Sequence, residues 1–332
     1  MRISEPSEVK GQSGLKLGAA ITKTAAERWD EQMRAWQKCQ AVAGRRSLSA
    51  WESDRAARRY WEQVCFYQQE RLNLLISRLQ PTPGKRILDI GSGPGVLSIP
   101  LAERGAKVTA VDPSSAMLNL LKQIATERGV AEIRCLDGRW EELDPVKYFD
   151  GNSPYQAVVA SLSLMMVGIR ESLLKMMRVC APGGRIYLLW GRGKNHWTEQ
   201  LSKLYPGLYG FNYVPKPEAK LLLEVVLELE EELAGREPAI STQVPGLTVF
   251  SDIKAEEFDF FYRESFDSEA EALNHFLDYF GVEEANRSRV DLVQEFLGKN
   301  LRHNNGSLLL EHSLPTLLIT ITIGDTIRCP FF

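Results

Sequence analysis

The stretch from Arg86 to Ala102 constrains the fold of this chain more than any other. It begins as an apolar run typical of a buried strand, turns through Gly91, Gly93 and Gly95, and ends in a helical pattern. Glycine lets a backbone turn sharply and approach a ligand closely because it has no Cβ. The following helix start offers unpaired backbone N–H groups. The stretch therefore predicts the first strand–turn–helix unit of a doubly wound α/β domain.

Acidic residues accompany the ends of the predicted strands. Asp89 lies just before the glycine turn, Asp112 ends the next apolar run, and Asp137 ends the third. A carboxylate at the end of the second strand can accept hydrogen bonds from both hydroxyls of a ribose. Val96 stands where the dinucleotide fingerprint has its third glycine, and this departure disfavours a nicotinamide oxidoreductase.

Four motifs, in order along the chain, resemble those of the class I S-adenosylmethionine-dependent methyltransferases. They are Asp89 to Gly95, Val111 to Ser114, Leu136 to Gly138, and Ala181 to Arg185. The resemblance extends over about residues 80–191 and is poor in the flanks. It implies an α/β, doubly wound Rossmann-like sheet, mostly parallel with an antiparallel last strand. It also implies S-adenosylmethionine as cofactor and S-adenosylhomocysteine as product.

The resemblance assigns cofactor contacts to the carboxyl ends of the strands. Asp112 is expected to hold the ribose hydroxyls, and Asp137 the adenine amine. Asp89 is expected to orient the glycine loop or bind the methionine amino group, and Ser161 or its carbonyl to reach the methionine ammonium. The full set of expected cofactor contacts is Tyr60, Asp89, Gly91, Ser92, Gly93, Gly95, Asp112, Pro113, Ser114, Asp137, Gly138, Arg139 and Ser161.

The region 81–191 alternates between apolar runs and helical patterns, as expected of parallel strands joined by right-handed helical crossovers. The predicted strands are 86–90, 107–111, 132–136, 155–160 and 185–190. The predicted helices are about 96–104, 115–128 and 169–179.

Residues 1–80 are predicted to form a helical lid, with helices over about 22–40 and 48–78, the second with a break. In the resembling family, N-terminal helices often fold over the cofactor cleft and supply an aromatic residue to it. Tyr60 is the residue expected in that position. The alternative is that the lid aromatics only pack the helices against the domain.

Residues 192–257 are predicted to be an insertion that either caps the substrate or is a purely structural or dimerising cap. Residues 258–332 are predicted to complete the sheet and add helices. The aromatic stretch 205–213 is predicted to be irregular. The last strand, 316–323, alternates polar and apolar residues. Its partner is either 258–262 or 307–310, and the pattern does not distinguish them. Further helices are expected at about 217–233, 268–280 and 283–301.

Composition limits the cellular compartment and the kinds of partner that we expect. The 332 residues are 44% hydrophobic and 25% charged, with a net charge of −3, so nothing draws the chain generally to nucleic acid. The five cysteines are scattered, no apolar run is long enough to cross a membrane, and the first twenty residues lack a signal core. We expect a cytoplasmic protein with no metal, no DNA and no membrane partner; homodimerisation stays open.

Methyl transfer needs chiefly a nucleophile held in line in a dry, apolar pocket, and the stretch 161–166 suits that need. An Asn/Asp-Pro-Pro-Tyr/Phe tetrad is absent there, which disfavours amino groups of DNA bases as acceptors. No catalytic residue is assigned, because His196 and His275 are better explained as a surface and a structural histidine. A small-molecule acceptor is favoured; the alternatives are an RNA or protein methyltransferase and a non-catalytic S-adenosylmethionine-binding protein.

Overall fold

The fold was analysed in a computed structural model, which describes residues 23–43, 52–130, 133–149, 154–234 and 250–324. The helices are α1 (Ala25–Val42), α2 (Asp54–Tyr67), α3 (Gln69–Leu79), α4 (Ser98–Glu103), α5 (Ser115–Glu127), α6 (Pro145–Tyr148), α7 (Ile169–Val179), α8 (His196–Tyr209), α9 (Ala219–Ala234), α10 (Glu269–Phe280) and α11 (Arg287–Asn300). The strands are β1 (Arg86–Ile90), β2 (Lys107–Asp112), β3 (Arg134–Asp137), β4 (Tyr155–Ser161), β5 (Cys180–Gly191), β6 (Phe250–Phe266), β7 (Leu301–Asn304) and β8 (Ser307–Ile323).

The strands form a single mixed sheet in the order β3-β2-β1-β4-β5-β8-β6, with β7 paired to β8. Strands β1 to β5 are parallel, and β8 is antiparallel to both β5 and β6. The chain order reverses beside β1, and this reversal opens a cleft at the carboxyl ends of the strands. The predicted doubly wound, mostly parallel sheet with an antiparallel last strand is confirmed.

Two apolar clusters cover the two faces of the parallel sheet. Along β4, Val158 and Ala160 belong to the cluster shared with α1, α7 and α9. Ala157 and Val159 belong to the cluster shared with α3, α4 and α5. Burial on both faces explains why the parallel strands are continuous apolar runs rather than alternating ones. Their carboxyl ends are left as the place where polar side chains gather.

Strands β6 and β8 extend beyond the parallel sheet. The β5–β8 ladder ends where Gly191 pairs with Thr316, whereas the β6–β8 ladder continues to the pair Phe266–Leu308. This extension adds about 25 Å of hairpin above the carboxyl edge of the sheet. A third apolar cluster joins the hairpin to α8, α10 and α11. We call this hairpin extension with its three helices the cap.

The sequence left the partner of the last strand open. In the structure the last strand, β8, lies between β5 and β6 and pairs with both. Segments 307–310 and 316–323 are parts of one strand, β8, and segment 258–262 pairs with 312–316 of that strand. Pro315 lies between the two segments. At Pro315 the strand has already passed the end of β5, so the missing N–H leaves no gap in that ladder.

The region predicted as an insertion does not pack as one unit. The stretch 205–213, predicted to be irregular, is helical up to Tyr209, and α8 packs in the cap. Asn195 and Thr198 form a capping box at the start of α8, which is the sequence signal that was overlooked. Helix α9 packs instead on the sheet with α1 and α7. Strand β6 begins at Phe250, ahead of the predicted boundary at 258.

Candidate functional site

The glycine turn after β1 has the backbone geometry that only glycine adopts easily. Gly91, Gly93 and Gly95 have φ values of +69°, +54° and +84°. The N–H groups of Gly91 and Ser92 donate to the carbonyl of Val111 at 2.8 and 3.0 Å, which fastens the turn to the end of β2. The turn is therefore held rigidly at the mouth of the cleft.

Each glycine meets a different neighbour. A Cβ on Gly91 would lie 2.2 Å from the Cβ of Ser163, and one on Gly95 would lie 2.6 Å from the side chain of Leu121 on α5. A Cβ on Gly93 would lie 3.6 Å from Cε1 of Tyr60, which is ordinary contact. Gly91 and Gly95 are thus required by packing, whereas Gly93 faces the lid helix α2 across a small gap.

Asp112 is the polar centre of this edge. Its carboxylate is only 8% exposed and accepts hydrogen bonds from the backbone N–H groups of Gly93 at 2.8 Å and Ser114 at 2.9 Å. Burial raises the pKa of Asp112, while these two bonds lower it. A carboxylate has about four acceptor positions, so roughly two remain for a ligand. Asp112 both ties the glycine turn to β2 and retains the capacity to bind.

The predicted adenine residues lie beside Asp112. Asp137 is level with Asp112 in the β2–β3 pairing, and Gly138 donates its N–H to the carbonyl of Asp112 at 3.1 Å. The exposed Asp137 carboxylate accepts a bond of 2.5 Å from the Ser115 hydroxyl. The two acids thus share one edge, one buried and one open to solvent.

The segments that follow these acids are structural supports. Pro113 leads into Ser114, whose hydroxyl caps α5 through the N–H of Met117 at 3.2 Å. Arg139 is half-buried and lies 3.5 Å from Glu141. Lys175 donates to three backbone carbonyls of the turn 140–143 at 2.7 to 2.9 Å, which fixes the loop after β3.

Asp89 faces inward. It is 2% exposed and accepts a hydrogen bond of 2.7 Å from the hydroxyl of Ser98 on α4. Burial raises its pKa from 3.8 to about 6, with a further contribution from the charge of Asp112, whereas Ser98 and Arg71 lower it. Asp89 is therefore poised to change its charge near neutral pH, which is unusual for an aspartate.

The segment after β4 crosses the glycine turn under strain. Leu162 adopts φ +58°, a left-handed conformation that costs a non-glycine residue about 1–2 kcal/mol. This turn places the Ser163 hydroxyl 2.6 Å from the carbonyl of Ile90, to which it donates, and packs Ser163 against Gly91. Such strain collects at functional sites because the surroundings hold it in place.

Arg71 is a site residue that the sequence reasoning missed. It lies in the first turn of α3, is 4% exposed, and donates from Nη1 to the Ser161 hydroxyl at 3.4 Å. The signal was present in the pattern: Arg71 precedes Leu72 and Leu75 on the buried face of the helix. A charge within an apolar stripe is more informative than the stripe itself.

The structure places the two candidate histidines as surface and structural residues. His196 is exposed at the start of α8 and contacts Gln200. His275 is half-buried in the cap, with Nε2 3.2 Å from a carboxylate oxygen of Glu264. Burial, with the charges of Arg59 and Arg55, lowers the His275 pKa to about 3. The same carboxylate accepts a bond of 3.0 Å from Nε of Arg59, so α2 is fastened to the cap.

Within the described part of the chain, no group of three or more His, Cys, Asp or Glu side chains could hold a metal ion. None of its helices combines the length and the apolar composition of a membrane span.

Comparison with known proteins was made for the sequence and for the fold. A family model described as "Methyltransferase domain" matches residues 87–184. An uncharacterized methyltransferase of Mycobacterium tuberculosis is 34% identical over 131 residues, which are 39% of this chain and 50% of that protein. A ubiquinone/menaquinone biosynthesis C-methyltransferase of Vibrio cholerae is 34% identical over 141 residues, 40% of this chain and 50% of its own. This chain therefore spans about half the length of these relatives.

Among solved structures, the YcgJ protein of Bacillus subtilis is similar in fold. The TM-score is 0.50 at 14% identity, and the alignment covers 78% of this chain and all of the other. At this identity the likeness concerns the fold alone. The residues that the family model matches run from β1 to the start of β5, the same part of the sheet that carries the glycine turn, Asp112 and Asp137.

Proposed function

We propose that this chain, which carries a class I methyltransferase domain in its parallel sheet, binds S-adenosylmethionine at the carboxyl ends of β1, β2 and β3 and methylates a small molecule. The observation that carries the proposal is the position of Asp112. Its buried carboxylate is bound to the glycine turn and lies level with Asp137. A ribose between the turn and an adenine site needs an acceptor at that point.

The residues present fit this cofactor along its whole length. The acceptor positions that Asp112 retains suit the ribose diol, and the open carboxylate of Asp137 suits an exocyclic amine. Tyr60 of the lid helix lies close to Gly93, so an aromatic side chain can border the cofactor beside the glycine turn. Near the methionine end, Asp89 and Ser161 are the expected contacts. We retain all thirteen expected contacts as proposals, with Asp112 as the central one.

The chain's own part in the reaction is to position the acceptor and exclude water. When bound, S-adenosylmethionine supplies a methyl group on a sulfonium, which is already electrophilic. Holding a nucleophile in line can contribute about 7–11 kcal/mol in favourable cases. The segment after β4 contributes Leu164 and Met166, which are buried, so this end of the cleft is apolar. We assign no general base.

Two features support a compact acceptor. The cap rises above the carboxyl edge of the sheet, and the Arg59–Glu264 contact holds α2 to it, so the cleft has walls on several sides. One relative is named for a step in ubiquinone/menaquinone biosynthesis, which concerns small molecules. An RNA or protein acceptor, or binding without turnover, are the competing proposals.

The first test is calorimetric titration with S-adenosylmethionine, S-adenosylhomocysteine and NAD. We expect micromolar binding of the first two and none of NAD. Asp112→Ala is expected to weaken binding by about 2–3 kcal/mol, the scale of charge-assisted hydrogen bonds. Asp144→Ala is the matched control, because Asp144 also accepts backbone N–H bonds but caps α6. Binding by Asp112→Ala within threefold of wild type would refute the ribose assignment.

The acceptor is tested with a methyl-labelled donor and fractionated cell extract. Label in the small-molecule fraction supports the proposal. Label that ribonuclease or protease releases identifies the corresponding macromolecular acceptor and overturns the small-molecule proposal. Tight cofactor binding with no labelled product in any fraction favours the non-catalytic alternative.

A further inference from the structure

A buried charge at the junction of α2 and α3 has no counterion among the residues that the structure describes. Arg71 takes part in none of the ion pairs between described residues. Its Nε is buried with no hydrogen-bond partner in the described part of the chain. Its Nη1 reaches only a hydroxyl, that of Ser161, at 3.4 Å. A guanidinium stays charged in any protein environment, so this arrangement is costly as it stands.

A second buried polar atom without a partner lies one turn away. Gln68 precedes α3, is 7% exposed, and makes no side-chain cap bond. Its Oε1 is buried and accepts no hydrogen bond from the described residues. Residues three apart on a helical turn lie on the same face. The junction therefore presents an unmatched cationic donor at Arg71 and an unmatched neutral acceptor at Gln68, close together.

The junction adjoins the proposed methionine end of the cleft. Ser161 ends β4, and Asp89, whose pKa is lowered by the charge of Arg71, is the penultimate residue of β1. Among the described residues, Asp89 makes neither a hydrogen bond nor an ion pair with Arg71, so it does not supply the missing partner of the guanidinium. A ligand that completes the junction must bring an anion for Arg71 and a donor for Gln68. A carboxylate beside an ammonium has that chemistry.

We infer that Gln68 and Arg71 bind the amino-acid end of the cofactor, with the carboxylate on Arg71 and the ammonium on Gln68. The lid thereby discriminates the full cofactor from nucleoside thioethers that lack this end. The inference rests on the proposed function, because it presumes that S-adenosylmethionine occupies the cleft. It adds a selectivity that Asp112 does not confer, since Asp112 is assigned to the ribose.

The test compares two ligands that differ only at this end, S-adenosylhomocysteine and 5′-methylthioadenosine, by calorimetry. Wild type is expected to bind the first at least tenfold more tightly. Arg71→Met is expected to lose about 10- to 150-fold in affinity for S-adenosylhomocysteine, the range of hydrogen bonds to charged groups, and less than threefold for 5′-methylthioadenosine. Arg71→Lys, which keeps the charge, should restore part of the loss. Arg78→Met on the same helix is the matched control, because Arg78 pairs with Glu256.

Several outcomes overturn the inference. If Arg71→Met lowers the affinity for both ligands equally, the role of Arg71 is structural. If it lowers the affinity for neither ligand, Arg71 does not contact the ligand. If Arg71→Met does not fold, Gln68→Met decides, and it must lower affinity for S-adenosylhomocysteine selectively. Wild type that binds both ligands equally leaves the proposed cofactor intact and refutes only the inference. Wild type that binds neither refutes the proposed function itself.

Discussion

Gly91 and Gly93 both have positive φ, but only Gly91 is enclosed. Alanine at either position should cost about 1–2 kcal/mol of backbone strain. At Gly91 the new methyl also overlaps Ser163, which adds about 1–3 kcal/mol, whereas at Gly93 there is room. Urea denaturation should therefore show a larger loss for Gly91→Ala than for Gly93→Ala. Adding Ser163→Gly should restore part of the loss at Gly91; equal losses for the two single variants would argue against the overlap.

Asp89 should make the protein less stable at neutral pH than a neutral side chain would. Its folded pKa of about 6 lies above the value of 3.8 expected when unfolded, so the folded state binds the proton more tightly. Stability therefore falls as pH rises from about 4 to about 6, by about 3 kcal/mol in all. Asp89→Asn, which can still accept from Ser98, should be more stable than wild type at pH 7.5.

The control for this prediction is the pH dependence of the stability difference between Asp89→Asn and wild type. The advantage of Asp89→Asn in the free energy of unfolding should shrink steadily below pH 6 and vanish near pH 4, where the wild-type carboxyl is neutral in both states. Denaturation at pH 7.5, 6, 5 and 4 measures it. An advantage that does not change with pH would mean that packing, not ionisation, separates the two proteins.

How far the site could be predicted depends on how local each signal is. The glycine turn, Asp112 and Asp137 were found because each stands at a strand end within a few residues of its own motif. Arg71 and Ser163 were missed as site residues, because their roles come from contacts with Ser161, Ile90 and Gly91, which are distant in sequence or depend on a strained turn. Periodicity does not report such contacts.

At the level of elements, the buried pair Arg59–Glu264 should hold α2 against β6. Glu264 is 4% exposed, and Arg59 is the cation beside it, at 3.0 Å. Removing the cation alone leaves a buried carboxylate, so Arg59→Met should cost about 3–5 kcal/mol. The double variant Arg59→Met/Glu264→Gln should recover part of that. Hydrogen exchange should quicken in α2 more than in the parallel strands.

The matched control is the exposed pair Arg78–Glu256, whose side chains are 41% and 33% exposed. Breaking such a pair with Arg78→Met should cost less than about 1 kcal/mol. If Arg59→Met costs no more than Arg78→Met, the buried pair does not fasten the lid helix. The comparison separates burial from mere pairing, because both arginines reach β6 from the N-terminal helices.

Helices and strands were predictable where the spacing of apolar residues followed a single helical or strand period. Helix α7 was predicted at its observed bounds, 169–179, because its apolar face is regular and Pro182 and Gly183 follow it. The single strand β8 was predicted as two segments, 307–310 and 316–323, and Pro315, which has no backbone N–H, lies between them. A strand tolerates a proline where no neighbouring strand needs its N–H. Here that depends on β5 ending at Gly191, opposite Thr316, and the local sequence around Pro315 does not show it.

For the whole molecule, the cap and the sheet share one strand but not one core. Strand β8 contributes Ile319 and Ile321 to the cluster on the sheet and Leu308 and Leu310 to the cluster in the cap. The cap contains many aromatic rings packed with two half-buried imidazoles, His275 and His312, whereas the parallel strands pack mainly through aliphatic side chains. Conditions that charge an imidazole should therefore act on the cap rather than on the cofactor cleft.

His312 provides the test, because its ring stacks between those of Trp197 and Tyr262, each at 4.9 Å between centroids. Burial lowers its pKa from 6.5 to about 4, with a small contribution from His196. The unfolded chain therefore binds the proton more readily, and stability is lost as pH falls from about 6.5 to about 4, by about 3 kcal/mol. His312→Phe keeps a flat ring and removes the proton. As pH falls from about 6.5 to about 4, the free energy of unfolding of His312→Phe should rise relative to that of wild type. Denaturation at pH 7.5, 6, 5 and 4 measures the difference. His303→Gln, on exposed β7, should follow wild type throughout. A His312→Phe curve parallel to wild type would show that the stacked ring titrates alike in the folded and unfolded chain.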